Sequence, residues 1–338
     1  MTPEEKFDLI KRNTVEIITE DELKKLIKTK KKPVVYLGWS ITGRPHIGYY
    51  LPVIKLADFL KAGFKVKLLL SDITGALDNT PWEVLDKRYK YYEKTIPLMF
   101  KSIGVDIKNF ELVKASDINL QKDYYFDLLK LSTLVSVNDA KRAGSEVVKF
   151  GDNPKLSGLI YPLVQTLDEE YLKVDIQYGG VDQRKILMFA RENLPKLGYK
   201  SRIEIMTPLI PGLIGKKMSA SDPKSKVDLL DDEKSVQNKI KSAFCEEGVI
   251  EDNGVLAFIK HVLIVIKQDQ GEEFVIERPE KFGGNRSYKK YQDLEKDYQN
   301  KKLHPLDLKL ALAKEINQLL KPFQNKKQEL EKLAQEGY

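Results

Sequence analysis

With a single cysteine, Cys245, among 338 residues, the chain can form neither an intramolecular disulfide nor a multi-cysteine zinc site. A reducing compartment is the simplest setting for such a chain, so a cytoplasmic location is expected. No apolar run approaches the length of a membrane span, and the opening residues, MTPEEKFDLIKR, lack the apolar core of a signal peptide. No membrane contact is therefore expected. Internal repeats and low-complexity tracts are absent. So is the Walker phosphate loop, a glycine, four intervening residues, then Gly-Lys and Ser or Thr. What is present is globular: 42% hydrophobic and 32% charged residues, with only 20 glycines and 15 prolines. That length and composition can bury a sizeable core and suggest two domains. The charge of +7 suits a polyanionic partner and equally suits a lysine-rich solvated surface, so composition alone decides nothing about function.

Periodicity is more informative. Residues 33–39 (PVVYLGW) are apolar, β-branched and aromatic, as a buried strand requires, and Ile47, Leu51, Ile54 and Ala57 recur at the spacing of one helix face. Thr42, Gly43 and Pro45 lie between as turn and helix-entry residues, so a helix is expected to start at His46. Free backbone N–H groups and the helix dipole favour an anion at such a start. FKVKLLLSDI (64–73) reads as a second strand, 81–103 as one long helix with Trp82, Leu85, Tyr89 and Tyr92 on one side, and FELVKAS (110–116) as a third strand. Residues 117–172 read as helical, broken at Gly144, Gly151–Pro154 and Gly158. VDIQYGGVDQRK (174–185) repeats the theme of strand, glycine turn and helix start, and a strand and a polar loop follow over 202–226. Alternating strands and helices imply a doubly wound α/β parallel sheet with ligands at the carboxyl ends of its strands. From about Asp231 the texture is helical, interrupted by one strand at EEFVIER (272–278).

Two short stretches carry chemistry. The first is PHIG (45–48) in TGRPHIGYY; the second is KMSAS (217–221) in GKKMSASD, a polar loop whose lysines and serines suit phosphate. Either alone is more often a plain helix start or a solvated loop. Together, in this order, they resemble the HIGH and KMSKS signatures of class I aminoacyl-tRNA synthetases. Tyr36 in VYLGW, YPLVQTLDEEYLKVD (161–175), QYGGVDQRK (177–185), EKFGGN (280–285) and HPLDLK (304–309) narrow the resemblance to the tyrosyl-tRNA synthetases of the archaeal and eukaryotic type. It extends over nearly the whole chain. The further C-terminal module of some eukaryotic members is not expected here.

The resemblance implies a Rossmann-like catalytic domain over 1–230, with a helical insertion at roughly 117–160 that makes the contact of a homodimer, and a mostly α-helical anticodon-binding domain over 231–338. It implies activation of L-tyrosine with ATP and Mg²⁺, then transfer to tRNA(Tyr), with no tightly bound protein metal. His46, Lys217, Ser219 and Ser221 are the implied catalytic groups. Gly38, His46, Gly48, Gly180, Asp182, Lys217 and Met218 are the implied ATP ligands, with Gly179 giving room for the adenosine. Tyr36 and Asp168 would bind the substrate phenol. Tyr161, Gln165 and Gln183 would surround its α-amino group. Tyr161, Gln165 and Asp168, at steps of four and three, fit one helix face. For tRNA, Phe282 and Asp307 match anticodon-reading positions, while Arg142 and Arg184 match positions near the first acceptor pair.

Two departures stand out: Tyr49 replaces the second histidine of HIGH, and Ala220 the second lysine of KMSKS. Lys216 or a monovalent cation is expected to replace that lysine, and His46 and Lys217 to carry more of the phosphate chemistry. Tryptophanyl-tRNA synthetase shares both signatures, but an indole offers no phenol to Tyr36 and Asp168. A non-catalytic RNA-binding protein on the same scaffold would need neither His46 nor Lys217.

Overall fold

The computed structural model describes residues 1–213 and 226–338. Its centre is a six-stranded sheet of β1 (Glu16–Ile18), β2 (Val34–Ser40), β3 (Lys65–Ser71), β4 (Phe110–Lys114), β5 (Ile176–Gly180) and β6 (Ile203–Thr207) in the order β1-β6-β5-β2-β3-β4. The five strands β2 to β6 pair in parallel. The short edge strand β1, which the sequence pattern does not announce, runs antiparallel to β6, so the sheet is mixed. Helices cover both faces, which is why β2 and β3 are rich in buried apolar side chains. The chain leaves β2 toward β3 on one side, and β5 lies on the other. A crevice opens at that reversal of strand order, beyond the carboxyl ends of β2 and β5.

Several elements differ from their expected form. The helix after β2 begins with a 3₁₀ turn, Ile47–Tyr49, and becomes α-helical only at Tyr50–Lys61. The expected helix over 81–103 is a 3₁₀ turn, Trp82–Val84, followed by Leu85–Ser102, and Trp82 is 65% exposed and so does not share the buried side of Leu85 and Tyr92. Gly158 is no break: it lies inside the helix Leu156–Tyr171, where an added Cβ would come within 2.9 Å of Val148. Glycine there permits close packing.

The helices Lys122–Leu134, Val137–Gly144 and Leu156–Tyr171 share a small core of Tyr124, Leu131, Ala140, Ala143, Leu163 and Leu167. Beyond Asp232, which caps the helix Glu233–Ser242, helices dominate, with a two-stranded antiparallel ladder of β7 (Phe274–Ile276) and β8 (Arg286–Tyr288) in place of the single expected strand. One apolar cluster runs from Ile10 through the main sheet to Ala334 in the last helix. Polar ties reinforce it: Tyr50 donates to the Leu319 carbonyl at 3.1 Å, and Arg12 bridges Asp58 and Asp269. No helix among the described residues is long and apolar enough to cross a membrane.

Candidate active site

The crevice is a cavity of about 700 Å³, a size that takes a small ligand with a nucleotide. β2 contributes Tyr36, Gly38 and Ser40 to its lining, the following turn His46 and Gly48, and β5 with its turn Gly179, Gly180, Asp182 and Gln183. Tyr161, Gln165 and Asp168 enter from one face of the helix Leu156–Tyr171. Residues far apart in sequence therefore converge because parallel strands end together. A Cβ added at Gly38, which lines the cavity, would meet the Tyr36 ring at 3.7 Å, whereas one at Gly180 would strike the Asp182 carboxylate at 2.6 Å. Glycine keeps both places clear.

Tyr36 and Asp168 share the deep end but do not bond to each other. The Tyr36 hydroxyl accepts from Gln177 Nε2 at 2.7 Å and makes only a long 3.4 Å donation to the Gln165 carbonyl. Asp168 accepts from Asn119 Nδ2 at 2.8 Å and Tyr124 Oη at 2.9 Å, both through Oδ1. Neither donor uses Oδ2, and Asp168 lines the cavity. Burial raises the Asp168 carboxyl to about 7, against the pull of those two donors. Asn119, Tyr124 and Gln177 escaped the sequence reading as site residues. The first two sit on elements with no motif, and Gln177 stands unremarked beside the glycine pair. At the other end of this helix face, Tyr161 shares a 3.3 Å hydrogen bond with Ser40, and Gln165 donates to Gln183 at 3.2 Å.

His46 corrects the expected anion site. The first-turn amides are not free: Ile47 N–H donates to the Val227 carbonyl at 3.0 Å, Gly48 N–H to His46 Nδ1 at 3.1 Å, and Tyr49 N–H to the His46 carbonyl at 2.9 Å. The donor left at this turn is the imidazole Nε2–H, since Nδ1 accepts from Gly48. Burial, aided by the nearby Lys226 charge, pushes His46 down to about 3, so it is a neutral donor. The Tyr49 ring stands edge-on to it at 5.1 Å, while the Tyr49 hydroxyl pairs with Tyr92 at 3.3 Å. The loop before His46 is held from below. Arg88 donates to the Thr42 carbonyl and, at 2.8 Å, to Gly337, and Tyr338 donates to the Gly43 carbonyl at 3.1 Å. Asp228 forms a bridge with His46 and pairs with Arg44 at 2.8 Å, so the chain returning from the KMSAS stretch runs beside His46. Lys216, Lys217, Met218, Ser219, Ala220 and Ser221 lie outside the described residues.

The remaining candidates are elsewhere. Arg142 is exposed and paired with Asp139 at 3.0 Å, and Arg184 is paired with Glu16 at 2.7 Å; neither lines the cavity. Phe282 is 57% exposed. Asp307 forms an ion pair with Arg278 at 3.2 Å, and Arg278 also donates to the Phe282 carbonyl, so one guanidinium ties the two segments together. Among the described residues no cluster of three or more His, Cys, Asp or Glu side chains is placed to hold a metal ion.

Comparison with known proteins agrees with this geometry. The model of the family described as tRNA synthetases class I (W and Y) matches residues 28–321. The chain is 49% identical over 348 residues to the cytoplasmic tyrosine–tRNA ligase of Saccharomyces cerevisiae, covering 99% of this chain and 88% of that protein. It is 48% identical over 343 residues to the Xenopus tropicalis cytoplasmic tyrosine–tRNA ligase, covering 100% of this chain but only 64% of the longer relative. Among solved structures, tyrosyl-tRNA synthetase complexed with L-tyrosine from Archaeoglobus fulgidus superposes with a TM-score of 0.89 at 39% identity, over 96% of this chain and 99% of that one. A tryptophanyl-tRNA synthetase from Aeropyrum pernix, at 17% identity and a TM-score of 0.71 over 93% of this chain and 83% of that one, shares the fold.

Proposed function

Because the chain belongs to the family of class I tRNA synthetases for tryptophan and tyrosine, we propose that it is a tyrosine–tRNA ligase acting in the cytoplasm. The observation that carries the choice of tyrosine is the deep end of the cavity, where Tyr36 offers a donor and Asp168 Oδ2 an acceptor. A phenol satisfies both. Phenylalanine would leave both unpaired, and an indole places its single N–H differently.

In the reaction the tyrosine carboxylate attacks the α-phosphorus of ATP, taken as its Mg²⁺ complex, and pyrophosphate leaves. A terminal ribose hydroxyl of tRNA(Tyr) then attacks the adenylate carbonyl, and AMP leaves. The substrate supplies each nucleophile, so the protein's work is positioning and charge stabilisation. Tyr161, Gln165 and Gln183 hold the α-amino end. Gly38, Gly48 and Gly180 leave room for the nucleotide, and Asp182 bonds its ribose. His46 donates to the phosphates, joined by Lys217, Met218, Ser219 and Ser221, whose part rests on the sequence resemblance.

Residues 1–230 form the catalytic domain, with its insertion over roughly 117–160, and residues 231–338 bind the anticodon. Phe282 stacks on an unstacked anticodon base while Asp307 accepts from its edge, and Arg142 and Arg184 meet the acceptor stem. Charging of tRNA with labelled tyrosine tests this. Phe282→Ala should raise the KM for tRNA about tenfold, the worth of one base stack, and leave tyrosine-dependent pyrophosphate exchange unchanged. An unchanged KM would remove Phe282 from the anticodon site. Tyr125, Phe126, Leu129 and Val137 stand exposed on the insertion and suit the same surface of a second copy, making a homodimer. Light scattering at micromolar concentration should give twice the chain mass; a single-chain mass would contradict the dimer.

A further inference from the structure

Behind the phenol end of the cavity runs a row of polar side chains that the proposed chemistry does not use. Tyr36 on β2 is in register with Gln177 on β5, and Gln177 with Glu204 on β6, so the three side chains leave the sheet on one face, each about 4.8 Å from the next. All three are buried, and Glu169, also fully buried, lies over them on the helix Leu156–Tyr171. Five oxygens here, both of Glu169, both of Glu204 and Oε1 of Gln177, are buried without any hydrogen-bond donor. The nearby cations do not supply one. Arg202 is spent on Glu170 at 2.5 Å and on the Lys200 carbonyl, its buried Nε bonds to neither glutamate, and Arg191 serves the Arg202 carbonyl and Glu22. On the far side of Tyr36, Lys67 donates to the Leu172 carbonyl.

Acceptors crowded together without donors need a proton. We propose that the Glu169–Glu204 pair holds one proton, that it resides on Glu204 with its O–H hydrogen-bonded to Oε1 of Gln177, and that Glu204 so acts as a positioning residue for amino-acid selection. The consequence follows from amide geometry. With Oε1 occupied, the Gln177 NH₂ group faces Tyr36, as it does at 2.7 Å, and the Tyr36 hydrogen, held only by its long 3.4 Å contact to the Gln165 carbonyl, can turn to the substrate phenol. With both glutamates ionised, the amide would turn its NH₂ to a carboxylate and its oxygen to Tyr36. Tyr36 would then spend its hydrogen on Gln177, and the phenol would lose a donor. Independently of this geometry, burial, with Glu169 next, pushes the Glu204 carboxyl well above its usual range. The charged groups facing the pair are Asp168 beside Glu169, and Arg191 and Arg202.

The inference rests on the tyrosine assignment, and its test separates the two. In pyrophosphate exchange, Glu204→Gln retains a donor for Gln177 and should keep the tyrosine-to-phenylalanine ratio of kcat/KM within about twofold. Glu204→Leu should lower that ratio about tenfold, the worth of one hydrogen bond, through the KM for tyrosine with kcat unchanged. A merely structural loss would weaken both amino acids alike. An unchanged ratio in Glu204→Leu, or an equal fall in Glu204→Gln, overturns the inference. Should Glu204→Leu not fold, the infrared difference between wild type and Glu204→Gln at neutral pH decides: a protonated-carboxyl band lost in the variant supports a protonated Glu204, and its absence refutes it. A wild type that activates no tyrosine would sink the functional assignment and leave the infrared result standing.

Discussion

Asp168→Ala should lower kcat/KM for tyrosine in adenylate formation by about 100-fold while leaving phenylalanine nearly unaffected. The size follows from what is removed. A hydrogen bond to a buried carboxylate is worth about 1.5–3 kcal/mol, and the substrate O–H left without an acceptor adds its desolvation cost. The variant also strips Asn119 and Tyr124 of their common acceptor, so some of the loss arises in the pocket wall. The ATP KM, set elsewhere in the cavity, serves as the control. Wild-type kinetics for tyrosine would remove Asp168 from the phenol site. The same carboxyl predicts a pH effect. Its folded-state value of about 7 lies above its ordinary value, so it is protonated below that point. The phenol then loses its acceptor, and the KM for tyrosine should rise as pH falls from 8 to 6. For stability the sign is the reverse. Between about 4 and 7 the folded chain binds the extra proton, so this group's contribution is present at low pH and lost as pH rises through 7.

His46→Ala should slow adenylate formation by about 100- to 1,000-fold, the range for losing one donor aimed at developing charge, with little change in tyrosine binding. Rapid-quench measurement of the first turnover reads this directly. An equal loss of tyrosine affinity would instead indicate collapse of the turn, since Nδ1 also caps Gly48. With burial and Lys226 holding His46 near 3, no step in rate belonging to it should occur around pH 6.5. An acid limb that shifts on His46→Asn would contradict a neutral imidazole. Its depressed value means that the unfolded chain takes the proton first. The fold accordingly loses stability as pH falls below 6.5 toward 3.

How far the sequence reveals this molecule depends on the length of each element. β2, β3 and the helix Leu156–Tyr171 show their periods openly, because long buried elements repeat their pattern. β1 and β8, of three residues each, carry no period, and tertiary pairing alone makes them strands. The split of the helix near Trp82 turns on a local 3₁₀ turn that spacing does not encode. In the site, Tyr36, His46, Tyr161, Gln165 and Asp168 were legible because motifs and helix spacing name them. Their supports were not. Asn119, Tyr124, Gln177 and Glu204 become neighbours only when sheet register and helix packing bring them together. That the helix-start amides are consumed by Val227 and His46 is likewise a fact of packing. A motif names which side chain is used and says nothing about which backbone groups remain free.

The central claim is that the cavity selects a phenol and joins its amino acid to ATP. Amino-acid-dependent ATP–pyrophosphate exchange, run with each of the twenty amino acids in turn, tests it most directly. Exchange with tyrosine alone is the predicted result. Exchange with tryptophan instead, or none with any amino acid, would contradict it.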